Sequence, residues 1–301
     1  MESNIFKQQK KYIPYILAPG VLIYVFVVLT PLFIGLKYGF YDWSGGPKKI
    51  FIFFDNYIRL IHDQDFLSSL LNNFKLMVVV MFFQLIIAFI LALVLNSKLT
   101  KWKDFHRFAI FLPVVVSQVA VSILWKLIYN QNYGLLNRFL NSVGLSFLTQ
   151  KWLDDPKVVL YSVAAVIIWQ FIGIYLVIFL SGLQAVPNEL YESAQIDGAN
   201  AITRTTKITI PLMKQTILVA LILAIAGSMK IFDHIYVMTG GGPGKASTVA
   251  AMYAYNMTFK RFEYGYASAI SMAILLVSLS LIIITQLIIK LISNSENKGI
   301  N

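Results

Sequence analysis

The sequence predicts an all-α integral membrane protein with six transmembrane helices, and three observations predict it. Of 301 residues, 58% are hydrophobic and only 13% are charged, against roughly 45–50% and about 25% in soluble domains. The apolar residues gather into six runs, each of about the 20 residues an α-helix needs to cross a ~30 Å bilayer core. Polar segments separate the runs, and no soluble domain is appended.

Composition also excludes several classes. The net charge of +11 does not mark a nucleic-acid partner, because the basic residues are scattered and no soluble basic domain holds them. They suit membrane faces, where anionic lipid attracts Lys and Arg, so membrane lipid is an expected partner. The chain has no Cys, which excludes a disulfide, a thiolate metal site and a cysteine nucleophile. Its three His are too far apart in the chain for a metal-ligand motif. The first apolar run is too long for a removable signal peptide and leads into further membrane segments.

Residues 1–11 are polar, with Lys7, Lys10 and Lys11 beside the first span, about Tyr12 to Phe40. Pro14, Pro19 and Pro31 kink or delimit that span, which membrane helices tolerate. A mixed, aromatic external loop covers 41–69. The second span is Leu70 to Leu95. Residues 96–107 then carry Lys98, Lys101, Lys103 and Arg107 against Asp104 alone. The third span is Phe108 to Tyr129, with Pro113 early in it. After a polar loop at 130–157 comes the fourth span, Val158 to Leu183. A polar island occupies about 187–211. The fifth span is Leu212 to Met238, a glycine-rich external loop runs over about 239–266, and the last span is Ala267 to Ile292. Six spans put both termini on one side, and the Lys clusters make that side cytoplasmic by the positive-inside rule. The island lies on the same side.

The island is the most informative stretch. Pro187 ends the fourth span, and Asn188 suits the cap of a short helix. Glu189 and Glu192 fall near that helix's positive end. Gly198 suits the left-handed position after its last turn. Small residues, Ser193, Ala194, Ala199 and Ala201, admit a close partner surface. The island therefore reads as two short helices joined at a glycine and offered to a partner.

The spacing Glu192-Ser193-Ala194, three residues, Gly198, nine residues, Ile208-x-x-Pro211 resembles the cytoplasmic coupling loop of permease subunits in ATP-driven, binding-protein-dependent importers. The family form has Ala where Ser193 stands and Leu where Ile210 stands. Thr239-Gly240-Gly241-Gly242-Pro243-Gly244 after Phe232-Asp233 is similar to the same family, as are Phe54-Asp55-Asn56-Tyr57 and Gly134-Leu135-Leu136-Asn137. The resemblance runs through most of the chain and is to maltose-type sugar permeases of prokaryotic inner membranes. It implies a single permease domain over 1–301 and four kinds of partner: a second permease, a cytoplasmic ATPase dimer, an extracytoplasmic solute-binding protein and lipid. ATP and Mg belong to the ATPase, and no cofactor is expected on this chain. Glu192, Ser193, Ala194, Gly198, Ile208 and Pro211 are the expected ATPase-coupling residues.

No catalytic constellation is visible, so the chain is expected not to be an enzyme. The Thr239–Lys245 segment is not a phosphate-binding loop: it lacks Gly at Thr239 and Ser or Thr at Ala246. Polar groups within spans point to a solute path, since a charge at a helix centre costs roughly 2.5–3.5 kcal/mol on insertion scales. Lys230 and Asp233 stand three apart, on one face of a continuous helix. Gln84 and Gln170 are costly if left unsatisfied. The resemblance places the sugar path on the helices flanking the island, at or near Gln170, Ile174, Ala224, Ser228 and Ile231. Path candidates are thus Trp169, Gln170, Tyr175, Ser228, Lys230, Phe232 and Asp233, the aromatics as stacking faces. The alternative is a secondary transporter working alone on an ion gradient, for which Asp233 is the one plausible membrane acid.

Overall fold

The structure, a computed structural model, describes residues 14–97 and 100–298. The expected cytoplasmic segment 1–11, with Lys7, Lys10 and Lys11, lies outside the described residues, as does Lys98. The chain forms two compact units. One takes the residues up to Asp63 together with Ala254–Ala273, and the other takes Gln64–Tyr253 with the residues from Ile274 onward.

In the first unit, helix α1 spans Pro14–Tyr38. Its middle, Val25–Leu29, widens into a π-turn just before Pro31. A proline ring crowds the carbonyl four residues back, and the wider turn makes room. Thr30 Oγ1 donates to the Val25 carbonyl at 3.0 Å. A two-stranded antiparallel ribbon follows, β1 Tyr41–Asp42 and β2 Ile50–Phe51, with Tyr41 opposite Phe51. Helix α2, Asp55–His62, anchors it: buried Asn56 donates to the carbonyls of Gly39 and Tyr41, both at 3.0 Å.

The second unit is a bundle around two long helices, α3 Gln64–Asn96 and α7 Val159–Gln184. Between them run α4 Lys103–Val115, α5 Gln118–Ile128 and α6 Leu135–Ser142. After α7 come α8 Asn188–Ile196, α9 Ala201–Leu212, α10 Lys214–Met229 and α11 Asp233–Met238. Helices α12, Ala250–Phe259, and α13, Tyr264–Lys298, are each divided between the two units. Between helices in a membrane, small residues allow the close approach that packing needs. Ala88 and Ala92 are fully buried, in a core cluster shared with Leu176, Phe179 and Leu183 of α7. A second cluster joins Leu76 and Val80 of α3 to Val163, Val166 and Ile167 of α7 and Ile235 of α11.

Among the described residues, four helices are long and apolar enough to span a membrane, and up to six spans result if each of two bent pairs counts as one. The expected third span is such a pair: α4 and α5 meet at 97°. After Pro113 the β-branched run Val114–Val116, poor in helix propensity, gives way to an extended backbone at Val116. The expected fifth span differs more. Helix α10 meets α9 at 74° and ends at Met229, so Lys230 and Asp233 do not share a continuous helix face: Lys230 closes α10 and Asp233 opens α11. The expected loop at 239–266 contains α12.

Candidate functional site

The broken helices and the long helices α3 and α7 together line a cavity of about 400 Å3, within the ordinary range for small-molecule sites. It lies where the two core clusters meet. Val80 and Ile167 come from one, and Tyr175 and Ala224 from the other. Most of the lining is apolar. The polar groups are Gln84, Gln118, Ser228, Lys230, Asp233 and His234. Gln84 is buried, and its Nε2 has no hydrogen-bond partner among the described residues. A buried, unpaired donor costs about 1–3 kcal/mol.

Each break that shapes the cavity is stapled by a buried amide. Gln170 of α7 is fully buried; its Nε2 donates to the Val116 carbonyl at the α4–α5 break, 3.0 Å away. Its Oε1 faces His234 Nε2 at 2.7 Å. An amide oxygen only accepts, so His234 carries its proton on Nε2. Asn73 of α3 plays the matching part, donating to the Ser228 carbonyl at 3.2 Å and accepting from the Ala250 N–H at 2.7 Å.

The path candidates therefore separate. Tyr175, Ser228, Lys230 and Asp233 line the cavity. Gln170 stands behind it, both ends of its amide engaged by the protein. Trp169 packs edge-on against Trp125, ring centroids 5.5 Å apart, and Phe232 stacks on Tyr236 at 5.2 Å; neither lines it. Ile174, Ala224 and Ile231 do line it and are apolar.

The island stands at the far end of α7. Helix α8 closes in a left-handed glycine, Gly198 at φ 76°. The Ala199 N–H bonds to the Ala194 carbonyl at 2.8 Å and the Gly198 N–H to Gln195 at 3.1 Å, the pair of bonds that defines a Schellman stop. The expected cap at Asn188 is not made, because Pro187 holds the cap position and Asn188 is the first helical residue. Asn200 caps instead, its Oδ1 accepting from Thr203 N at 2.8 Å at the head of α9. In α9 a second π-turn, Thr205–Thr209, precedes Pro211, the device seen before Pro31. Tyr191 Oη and Thr209 Oγ1, 3.0 Å apart, tie α8 to α9. Glu192, Ser193 and Pro211 are exposed and Ala194 and Ile208 half-buried. Beside Gly198, Ile196 is 86% and Ile202 75% exposed.

Comparison with known proteins decides the family. Residues 11–294 match the model of the binding-protein-dependent transport system inner membrane component. The chain belongs to this family. The permease is 38% identical over 275 residues to the probable ABC transporter permease protein YurN of Bacillus subtilis, covering 91% of this chain and 94% of that one. It is 35% identical over 238 residues, 79% of each chain, to the trehalose/maltose transport system permease protein MalF of Thermococcus litoralis. A solved structure of a bacterial ABC transporter involved in the import of the acidic polysaccharide alginate superposes with a TM-score of 0.81, at 24% identity, over 95% of this chain and 98% of that chain. That likeness establishes the permease fold alone.

Sequence reasoning missed Gln118, His234 and Asn73 in this permease. Gln118 starts a helix that exists only because the third span is broken. His234 was set aside as one of three scattered His. Asn73 sits three residues inside the expected second span, where an uncharged amide gives a weak signal.

Proposed function

We propose that this chain is the transmembrane permease subunit of an ATP-driven importer for a sugar or oligosaccharide. A second permease, expected to be a different chain, completes the path. An extracytoplasmic binding protein delivers the solute to the outer end, and a cytoplasmic ATPase dimer, carrying ATP and Mg, docks on the island. Both termini lie on the cytoplasmic side. The names of the relatives support the substrate class, since MalF serves trehalose and maltose and another relative is a diacetylchitobiose uptake permease.

One observation carries the mechanism. On the α9 side, the island is joined to the cavity-lining helix α10 at a bend anchored by Met213, which is buried. Hydrogen bonds continue across the bend, from Met213 N to Thr209 O and from Ile217 N to Met213 O, both at 2.9 Å. Helix α10 then presents Ala224 and Ser228 to the cavity. Force applied at Glu192 to Pro211 therefore has a stiff route to the solute-facing helix. Closure of the ATPase dimer moves the island, rocks α10 and exchanges inward for outward access. The chain itself performs no chemistry.

The test is purification from the native membrane in mild detergent, with identification of the accompanying chains. An ATPase, a second permease and a binding protein are expected. Recovery of this chain alone, folded and able to drive uptake without ATP, overturns the proposal.

A further inference from the structure

We propose that the junction of α3 and α4 binds one anionic phospholipid, its headgroup phosphate held by Lys103 and Arg107 and an acyl chain lying in the surface groove over Phe108, Phe111 and Val177. Two cavities meet there and share Asp104 and Arg107. The smaller, about 100 Å3, is lined by Asn96, Lys103 and Gln184. The larger, about 340 Å3, continues along Phe108, Phe111 and Val177. One is a polar mouth and the other an apolar groove.

The helix explains the sequence of surfaces. Lys103, Arg107 and Phe111 are four residues apart and so lie on one face of α4, cations at the helix start and an aromatic ring two turns on. Asp104 is the one acid in both linings. It sits in the first turn of α4, where the positive end of the helix compensates it. The cations therefore carry the local charge. Arg107 has no ion pair or side-chain hydrogen bond among the described residues, and Lys103 Nζ reaches only the Asn96 carbonyl, at 3.5 Å. A guanidinium suits a phosphate by its planar fork.

Position favours a lipid over a soluble anion. Leu180 and Gln184 of the mouth belong to the last turns of α7, which lead into the island, so the cations stand at the island end of the bundle. The groove runs from them toward the bundle's middle, as an acyl chain runs from its headgroup into a leaflet. Trp102, Phe105 and Phe108 are 77%, 61% and 63% exposed, and aromatic rings collect at headgroup depth.

The test uses the full chain, purified with the subunits that accompany it, in vesicles whose phosphatidylglycerol or phosphatidylcholine carries a brominated acyl chain. The Trp102 contribution is obtained by difference from Trp102→Phe. Brominated phosphatidylglycerol should quench Trp102 several-fold more than brominated phosphatidylcholine when each is a trace component. Lys103→Gln and Arg107→Gln should each lower that preference about fivefold, while Lys151→Gln, before the opposite end of α7, leaves it unchanged. Equal quenching by the two lipids in the unaltered chain overturns the proposal without recourse to variants. So does a preference that survives the double substitution, or one abolished by excess inorganic phosphate.

Discussion

His234 donates its Nε2 proton to Gln170 Oε1 across 2.7 Å, joining the short helix α11 to the middle of α7. The same amide's Nε2 holds the Val116 carbonyl at the α4–α5 break. One side chain thus fixes two discontinuities that shape the cavity. Replacing Gln170 by Leu strands a carbonyl and an imidazole N–H, each at about 1–3 kcal/mol. Thermal unfolding in detergent should therefore shift down by several degrees. The double variant Gln170→Leu/His234→Leu should lose less than the sum of the single losses, by about 0.5–3 kcal/mol of coupling. Additive losses would mean the two residues do not act as a unit.

Gln84 should behave in the opposite way. Its unpartnered Nε2 makes Gln84→Leu neutral or stabilising in the same unfolding assay, because a buried donor is removed. If a solute hydroxyl pairs with that donor, uptake by the assembled importer should show a KM raised about tenfold. An unchanged KM would take Gln84 out of the solute path.

Gly173 is where α4 touches α7. A Cβ there would lie 2.7 Å from both the Ile110 carbonyl oxygen and the Phe111 Cα, backbone atoms that cannot turn aside. Gly173→Leu should push α4 away from α7, costing at least the 1–3 kcal/mol typical of overpacking. The amount of folded protein recovered from membranes should fall. Full recovery with an unchanged melting point would show that α4 is free to move.

Gly198 has open space around it, so its role is conformational. At φ 76° a β-branched side chain is strained, by about 1–3 kcal/mol, and Gly198→Val should reshape the α8–α9 junction. Membrane insertion and the unfolding temperature of the bundle should stay near those of the unaltered chain. Solute-stimulated ATP hydrolysis by the assembled importer should drop sharply. Normal uptake in this variant would remove the island from the coupling route.

Much of the fold was legible in the chain because bilayer thickness and backbone hydrogen bonding leave a long apolar run little choice but a helix. The island was legible for a related reason: Pro187, Gly198 and Pro211 act through their own backbone geometry and need no neighbour to do so. The breaks were harder to see. Pro113 and Pro211 announced a disturbance, but nothing local announced 97° and 74° bends or the end of α10 at Met229. A carbonyl freed by a break inside a membrane needs a partner from elsewhere in the fold, and Gln170 and Asn73 supply it from 54 and 155 residues away.

The candidate site divides along the same line. By itself the sequence determined that this is a multi-span helical protein, where its polar island lies, and that Ser228, Lys230 and Asp233 are polar groups near the end of a span. Tertiary structure decided which of them face a common space, turned Gln170 from a solute contact into a brace, and added Gln118 and His234 to the lining. Hydropathy and spacing are properties of single helices, readable one segment at a time. A cavity is a property of how several broken helices pack, and its lining is set by distances that no segment contains.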